Sequence, residues 1–486
     1  MDKHPPSLES LQREVSGLTA IYHGRGWMTE ATDLESAMTT AGNRVLAADA
    51  DSDAMTTTLE ELSACVKAWL QAKSWIVAED LAILVLDSCE NLKGEQDLMT
   101  MTAMHNLASA YWGRGQLDQA ASLATRVIKL RQEILGETHP QTLTSMTNLA
   151  STYRSQGLWS DAQELDSRIF ETKKRTIGPS HPSTLGSMSN LAISYANLGR
   201  YKEAESIARQ LVDLGGMELS PADASLLNWK LTLASTYRDQ GRLDSAEKLE
   251  REVVNVSREE LGTNNPFTLT AMANLASTFR NQGRWTDAGR LEKEVVASSE
   301  AVLGETHPRT LMSISNLAST YRNQGRLQEA KDLGGKATAV MKEVLGERHP
   351  HTLVAMADLA VTYQMLRQSP DAEILAARSV RLMEETIGKD HPHTLSAMAN
   401  LSFIYQSQSK WGVAGGMAET LHSRREKAFG TDHPDTMAAL EDLRRVAWVE
   451  AADQNAQHSL LGLECGGALP DVPSAVSLYL ARIGHF

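Results

Sequence analysis

Eight alanines stand 42 residues apart along this chain, at Ala120, Ala162, Ala204, Ala246, Ala288, Ala330, Ala372 and Ala414. One small residue recurring at a fixed interval of roughly 20–50 residues marks a structural repeat, and a repeat decides the architecture before any local propensity does. The same register carries leucine at Leu107, Leu149, Leu191, Leu233, Leu275, Leu317, Leu359, Leu401 and Leu443. An aromatic ring follows four residues later, from Tyr111 and Tyr153 through Phe279 to Tyr405. Glycine recurs at Gly94, Gly136, Gly178, Gly262, Gly304, Gly346, Gly388 and Gly430. The repeat array is the molecule, and function has to be read from its surface.

Residues 139–180 show what one repeat builds. His139-Pro140 opens a helix, since proline suits a first turn whose amide has no partner. Leu143, Met146, Leu149, Ala150 and Tyr153 then fall at helical spacing and bury one face. Gly157 ends this helix. A second starts near Ser160-Asp161, carries Ala162, Leu165, Ile169 and Phe170 inward, and closes at Gly178. The alanine slots let the paired helices approach closely, and overpacking there costs about 1–3 kcal/mol.

The series Leu149-Ala150-x-x-Tyr153, Gly157, Ala162 resembles the tetratricopeptide (TPR) signature over roughly residues 60–450. The 42-residue form, with His-Pro-x-Thr-Leu and Asn-Leu-Ala-x-x-Tyr-x-x-Gln-Gly, is similar to the repeats of kinesin light chains. It is more similar still to the C-terminal repeats of fungal receptor-like NTPases of the NB-ARC and NACHT type. The resemblance implies an all-α fold, a right-handed α-solenoid of about ten TPR helix pairs. It also implies that first helices line a concave groove. Residues 1–58 are expected to form a degenerate helical cap (Leu18, Tyr22, Gly26, Ala31) and a linker over Ala48–Thr58. Residues 59–450 form the solenoid and 451–486 a tail, in which Gly462–Pro473 precedes a short docking helix at Ser474–Phe486. Kinesin light chains carry N-terminal heptads and the fungal receptors an NTPase domain. Residues 1–58 hold no sustained heptads, and no NTPase motif is present.

A net charge of −14 disfavours both nucleic acid and an anionic membrane surface. No apolar run reaches the ~18–20 residues of a membrane span. The opening Met1–Pro6 lacks the apolar core of a secretory signal. Cys65, Cys89 and Cys465 are few and in no metal-like spacing, which points to a reducing, cytoplasmic setting. No nucleotide loop, zinc-protease helix or nucleophile elbow is present, so no catalytic residue, metal ligand or cofactor is assigned.

Three ladders remain. His139, His181, His307, His349, His391 and His433 share a slot that elsewhere holds Asp97, Asp223 and Asn265. Histidine exchanging with Asp and Asn before a helix reads as a cap rather than a metal site. Asn106, Asn148, Asn190, Asn274, Asn316 and Asn400 precede the buried leucine, with Asp358 and Asp442 in the same slot. An amide both donates and accepts, so this row can hold the backbone of an extended peptide or bond to the neighbouring repeat. Arg154, Arg238, Arg280 and Arg322 follow the aromatic and are suited to carboxylates, either a ligand's or the chain's own. Small serines at Ser151, Ser235, Ser277 and Ser319 leave room between them.

The expectation is a protein-interaction scaffold whose groove takes an extended, acidic peptide. The rival is a ligand-binding or catalytic role in a fungal biosynthetic pathway. Its pocket would lie near the irregular repeat at 220–261, shaped by Met217, Trp229 and Lys230. Self-association through the array's edges is a third reading.

Overall fold

The computed structural model describes residues 8–25, 28–45, 51–72 and 74–460, and these form 21 helices without a strand. They begin with α1 (Leu8–Gly24) and α2 (Met28–Val45), then α3 (Asp51–Ala72) and α4 (Trp75–Lys93). The first helices of the regular repeats are α5 (Leu98–Gly113), α7 (Pro140–Ser155), α9 (Pro182–Asn197), α11 (Ala224–Asp239), α13 (Pro266–Asn281), α15 (Pro308–Asn323), α17 (Pro350–Met365) and α19 (Pro392–Ser407). Their partners are α6 (Leu117–Leu135), α8 (Trp159–Ile177), α10 (Tyr201–Glu218), α12 (Leu243–Glu260), α14 (Trp285–Leu303), α16 (Leu327–Val344), α18 (Ser369–Thr386) and α20 (Trp411–Phe429). The last helix, α21, runs Pro434–Leu460. The chain is an all-α solenoid of helix pairs. None of the described helices is long and apolar enough to cross a membrane.

The repeat landmarks do what their chemistry requires. All eight register alanines are at most 1% exposed, so each marks the closest approach inside a pair. Every histidine of the shared slot is a helix cap. Nδ1 of His139, His181, His307, His349, His391 and His433 accepts from the amide two residues on, at 3.0–3.2 Å. Asp97, Asp223 and Asn265 make the same bond with a side-chain oxygen.

Two glycine slots differ in what they tolerate. The repeat-ending glycines, such as Gly304 (φ 90°, ψ 161°), occupy a region that essentially only glycine enters. The turn between paired helices is ordinary left-handed backbone, at φ 71–78° for the glycines from Gly115 to Gly325. There Arg367 (φ 60°) and Ser409 (φ 58°) adopt the conformation with a side chain attached.

One boundary expectation needs correction. Residues 51–58 are not linker but the first turns of α3, and Leu59 and Leu62 of that helix are fully buried. The described residues divide into two compact units, one within 8–156 with 164–176 and the other 157–163 with 177–460. Gly26, the Gly/Pro-rich stretch 462–473, Cys465 and the expected docking helix at 474–486 lie outside the described residues.

In the second unit, first helices of successive repeats touch directly, as α9 does α11 and α17 does α19. No two of its described second helices approach as closely. First helices therefore crowd one side and second helices fan out on the other. The same unit returns upon itself. A Cβ placed on Gly157 would fall 2.5 Å from Cδ of Pro392, and one on Gly199 would fall 2.8 Å from Cδ2 of His433. The contacts join residues 235 and 234 positions apart. Around the second, Tyr201, Asp239 and Asp435 come together. Asp239 touches solvent, yet burial by the surrounding protein raises its pKa to about 6; Arg238 opposes the rise and Asp435 adds to it.

Candidate functional site

The first-helix side presents a narrow half-buried stripe. On α13 it comprises Thr270, Ala273, Asn274, Ser277 and Asn281, at spacings of three and four residues. The residues between them, including Leu275, Ala276 and Thr278, are buried in the helix packing. On α15 the stripe holds Asn316, Ser319 and Asn323. Its residues are small and uncharged, and all but Ala273 are polar.

The asparagine ladder divides in two along the chain. In the first unit Asn106 is buried and its amide reaches Ser63 Oγ at 3.4 Å, while Asn148 lies 3.3 Å from Nε2 of His105. These amides tie one repeat to the preceding one. Burial lowers the pKa of His105 to about 4, with Arg131 adding to the effect, so its ring is neutral and available to such a bond. In the second unit Asn190, Asn274 and Asn316 are half-buried, with no side-chain hydrogen bond among the described residues. Asn400, in contrast, is buried.

The arginine ladder is not a surface stripe, which corrects the expectation that it meets ligand carboxylates. Arg280 and Arg322 are each 4% exposed. Arg154 pairs with Asp166 at 2.5 Å, Arg238 with Glu250 at 2.9 Å, and Arg280 Nε lies 3.6 Å from Glu292. Each acid sits twelve residues after its arginine, on the facing helix of the same pair. Arg238 also donates to Ser235 Oγ and to the backbone oxygen of Asn274. Position 334, twelve residues after Arg322, is a glycine. There the charge has moved: Arg322 donates to the carbonyl of Asp358 at 2.9 Å, and the carboxylate of Asp358 stands where other repeats carry asparagine. Burial pushes the Asp358 carboxyl up and the Arg322 guanidinium down, while each holds the other charged. The signal for these pairs was in the sequence, in the acids at a constant offset of twelve.

The irregular repeat at 220–261 is closed by its unusual residues. Trp229 is buried, and its indole fills the space that Gly215 leaves, since a Cβ there would meet it at 2.8 Å. Lys230 is paired with Glu252 at 2.7 Å, and Met217 is exposed. None of these three residues lines the cleft of the described residues at Gly335 and Tyr363.

Comparison with known proteins adds the following. A tetratricopeptide-repeat family model matches residues 70–133, 100–174, 224–301, 274–343 and 309–385, and a second one matches 184–217 and 394–435. A solved structure of a putative kinesin light chain of Podosopora anserina, with nearly identical TPR-like repeats, is 30% identical. The likeness covers 42% of this chain and 97% of that one, at a TM-score of 0.36. BtubC (BKLC) from P. vanneervenii is 20% identical over 48% of this chain and 92% of its own, at 0.38. The apo quorum sensor NprR from B. thuringiensis is 14% identical over 74% and 97%, at 0.47. No curated protein matches.

Proposed function

The chain belongs to the tetratricopeptide-repeat family, and on that premise we propose that it is a protein-interaction scaffold which holds an extended peptide on the first-helix side of its second unit. Asn190, Asn274 and Asn316 are the groups that hold it. One observation carries this reading: three amides in one repeat slot lie at the surface with no side-chain bond among the described residues. An amide offers one acceptor and two donors, which matches the alternating groups of an extended backbone. The bonds go to the main chain, so the grip is insensitive to peptide sequence.

The ligand's charge is not selected by Arg154, Arg238, Arg280 and Arg322, whose charges are met within the scaffold. Stripe residues such as Ser277 and Asn281 set a polar, uncharged lining instead.

The test is a displayed random-peptide library panned against the full chain, followed by affinity measurement on the enriched peptides. Asn274→Ala with Asn316→Ala should weaken all of them alike, by about five- to tenfold for each lost amide. Unchanged affinity across several unrelated peptides would overturn the assignment.

A further inference from the structure

A second device recurs along the array, and some repeats lack part of it. In most repeats the aromatic of the first helix is covered by cations. Arg242 stacks 4.2 Å from the centre of Tyr237, Arg284 4.4 Å from Phe279, and Arg326 3.8 Å from Tyr321. A second cation reaches the same ring from the preceding repeat: Arg209 on Tyr237, Arg251 on Phe279 and Lys293 on Tyr321, at 5.2–5.6 Å. An acid three residues beyond the stacking arginine fixes the guanidinium, as Asp287 does for Arg284 and Glu329 for Arg326.

At Tyr363 both cation slots are changed. The stacking position holds Gln368, and the position equivalent to Arg251 and Lys293 holds Gly335, where a Cβ would meet nothing within 4 Å. The acid has stayed. Asp371 occupies the slot of Asp287 and Glu329, is exposed, and has no ion pair or hydrogen bond among the described residues. A cleft of about 560 Å³ opens at this place between α16 and α18, lined by Gly335, Tyr363, Gln368 and Asp371. Leu359, Ile374 and Leu375 form its apolar wall, and Ile374 is 68% exposed.

We infer that this cleft binds an arginine side chain of a partner protein, its guanidinium stacked on Tyr363 and paired with Asp371, in the place the scaffold's own arginine takes in other repeats. The adjoining wall takes an apolar residue next to that arginine. Three cations of the chain line the same cleft. Lys342 and Arg378 are neutralised by Glu347, at 3.3 and 2.7 Å. Lys331 stands 5.5 Å from the ring centre, farther out than the stacked arginines, and is the internal competitor. Two earlier repeats carry an acid in its slot, Glu205 and Glu247, and both bind the stacking arginines. The site lies on the second-helix side and is independent of the asparagine stripe.

The experiment is saturation-transfer NMR on the full chain with acetyl-Leu-Arg-Leu-amide, and with the same peptide carrying neutral citrulline. The arginine peptide should bind saturably and the citrulline peptide more weakly. Asp371→Asn, an exposed change that leaves the packing alone, should weaken the arginine peptide by about two- to fivefold, and Lys331→Glu should strengthen it by a similar factor. Gly335→Arg with Gln368→Arg restores both missing cations from within, so binding should vanish while thermal stability is kept or raised. Equal binding of the two peptides, or undiminished binding to the filled variant, overturns the inference.

Discussion

Arg238→Ala separates a structural arginine from a ligand-binding one. Arg238 Nη1 lies 2.9 Å from Oε1 of Glu250, whose side chain is 1% exposed, and the arginine itself is 15% exposed. Removing the guanidinium strands a carboxylate between α11 and α12, with the hydroxyl of Thr278 as a remaining partner. Two unit charges about 4 Å apart attract by roughly 4 kcal/mol at an effective dielectric of 20. Breaking a buried pair from one side costs about 3–5 kcal/mol, because the other charge remains buried. Glu250 already has its pKa raised by burial, with Arg238 as the main opposing influence. Without Arg238 the pKa rises further. The unfolded carboxyl titrates near 4.3. The folded state of the variant then binds the extra proton, so its deficit is largest at neutral pH and shrinks as pH falls through the raised folded value. Urea unfolding at pH 7 and pH 5, with hydrogen exchange of α11 and α12 amides, reads both effects. Exchange matters because neighbouring repeats can open separately. Replacing both partners by methionine should return most of the lost stability. A single variant within about 1 kcal/mol of the parent at pH 7 would refute the reasoning and return Arg238 to the list of groups open to a ligand.

Arg367→Gly and Ser409→Gly should each stabilise the fold by about 1 kcal/mol, since both residues hold left-handed backbone with a side chain attached. Gly304→Ala should destabilise by about 1–3 kcal/mol, and thermal unfolding of the three variants in one buffer checks the contrast. Acidification should destabilise both units. The His393 ring is pushed down to about 3 by burial, with His391 and His351 adding to it, and that of His105 to about 4, so the unfolded chain takes up protons first, near pH 6.5. Stability present above pH 6.5 is therefore lost as pH falls towards those values, by about 2 kcal/mol at pH 5 for His105 alone. His105→Gln should flatten that part of the pH profile, and a profile identical to the parent's would show that the ring titrates normally.

Most of the fold was legible because repetition multiplies weak signals. A single histidine before a proline says little. Six in one slot, exchanging with Asp97, Asp223 and Asn265, identify a cap, and the Nδ1 bonds bear that out. The two glycine slots were legible as helix ends, but not in their difference, which lies in ψ and has no sequence signature beyond the Arg367 and Ser409 exchanges. The arginine ladder was misread for a related reason. Periodicity tells which face a side chain leaves from, not which charge meets it, and Asp166, Glu250 and Glu292 belong to the opposite helix. The cleft at Tyr363 lay in what its repeat lacks beside the three copies before it. Gly335 and Gln368 have meaning only once neighbouring copies show a guanidinium on the same ring.

The meeting of Gly157 with Pro392, and of Gly199 with His433, makes the number of copies a fixed quantity. An open stack of hairpins can be lengthened anywhere, since each newcomer needs only two neighbours. Here a coil closes upon its earlier winding, and the seam aligns only at one interval. Duplicating or excising a single 42-residue unit between those points would leave every hairpin intact and still set the seam out of phase. Such a chain keeps its helices but loses its closure, and the spacing of its recognition groups along the winding changes with it.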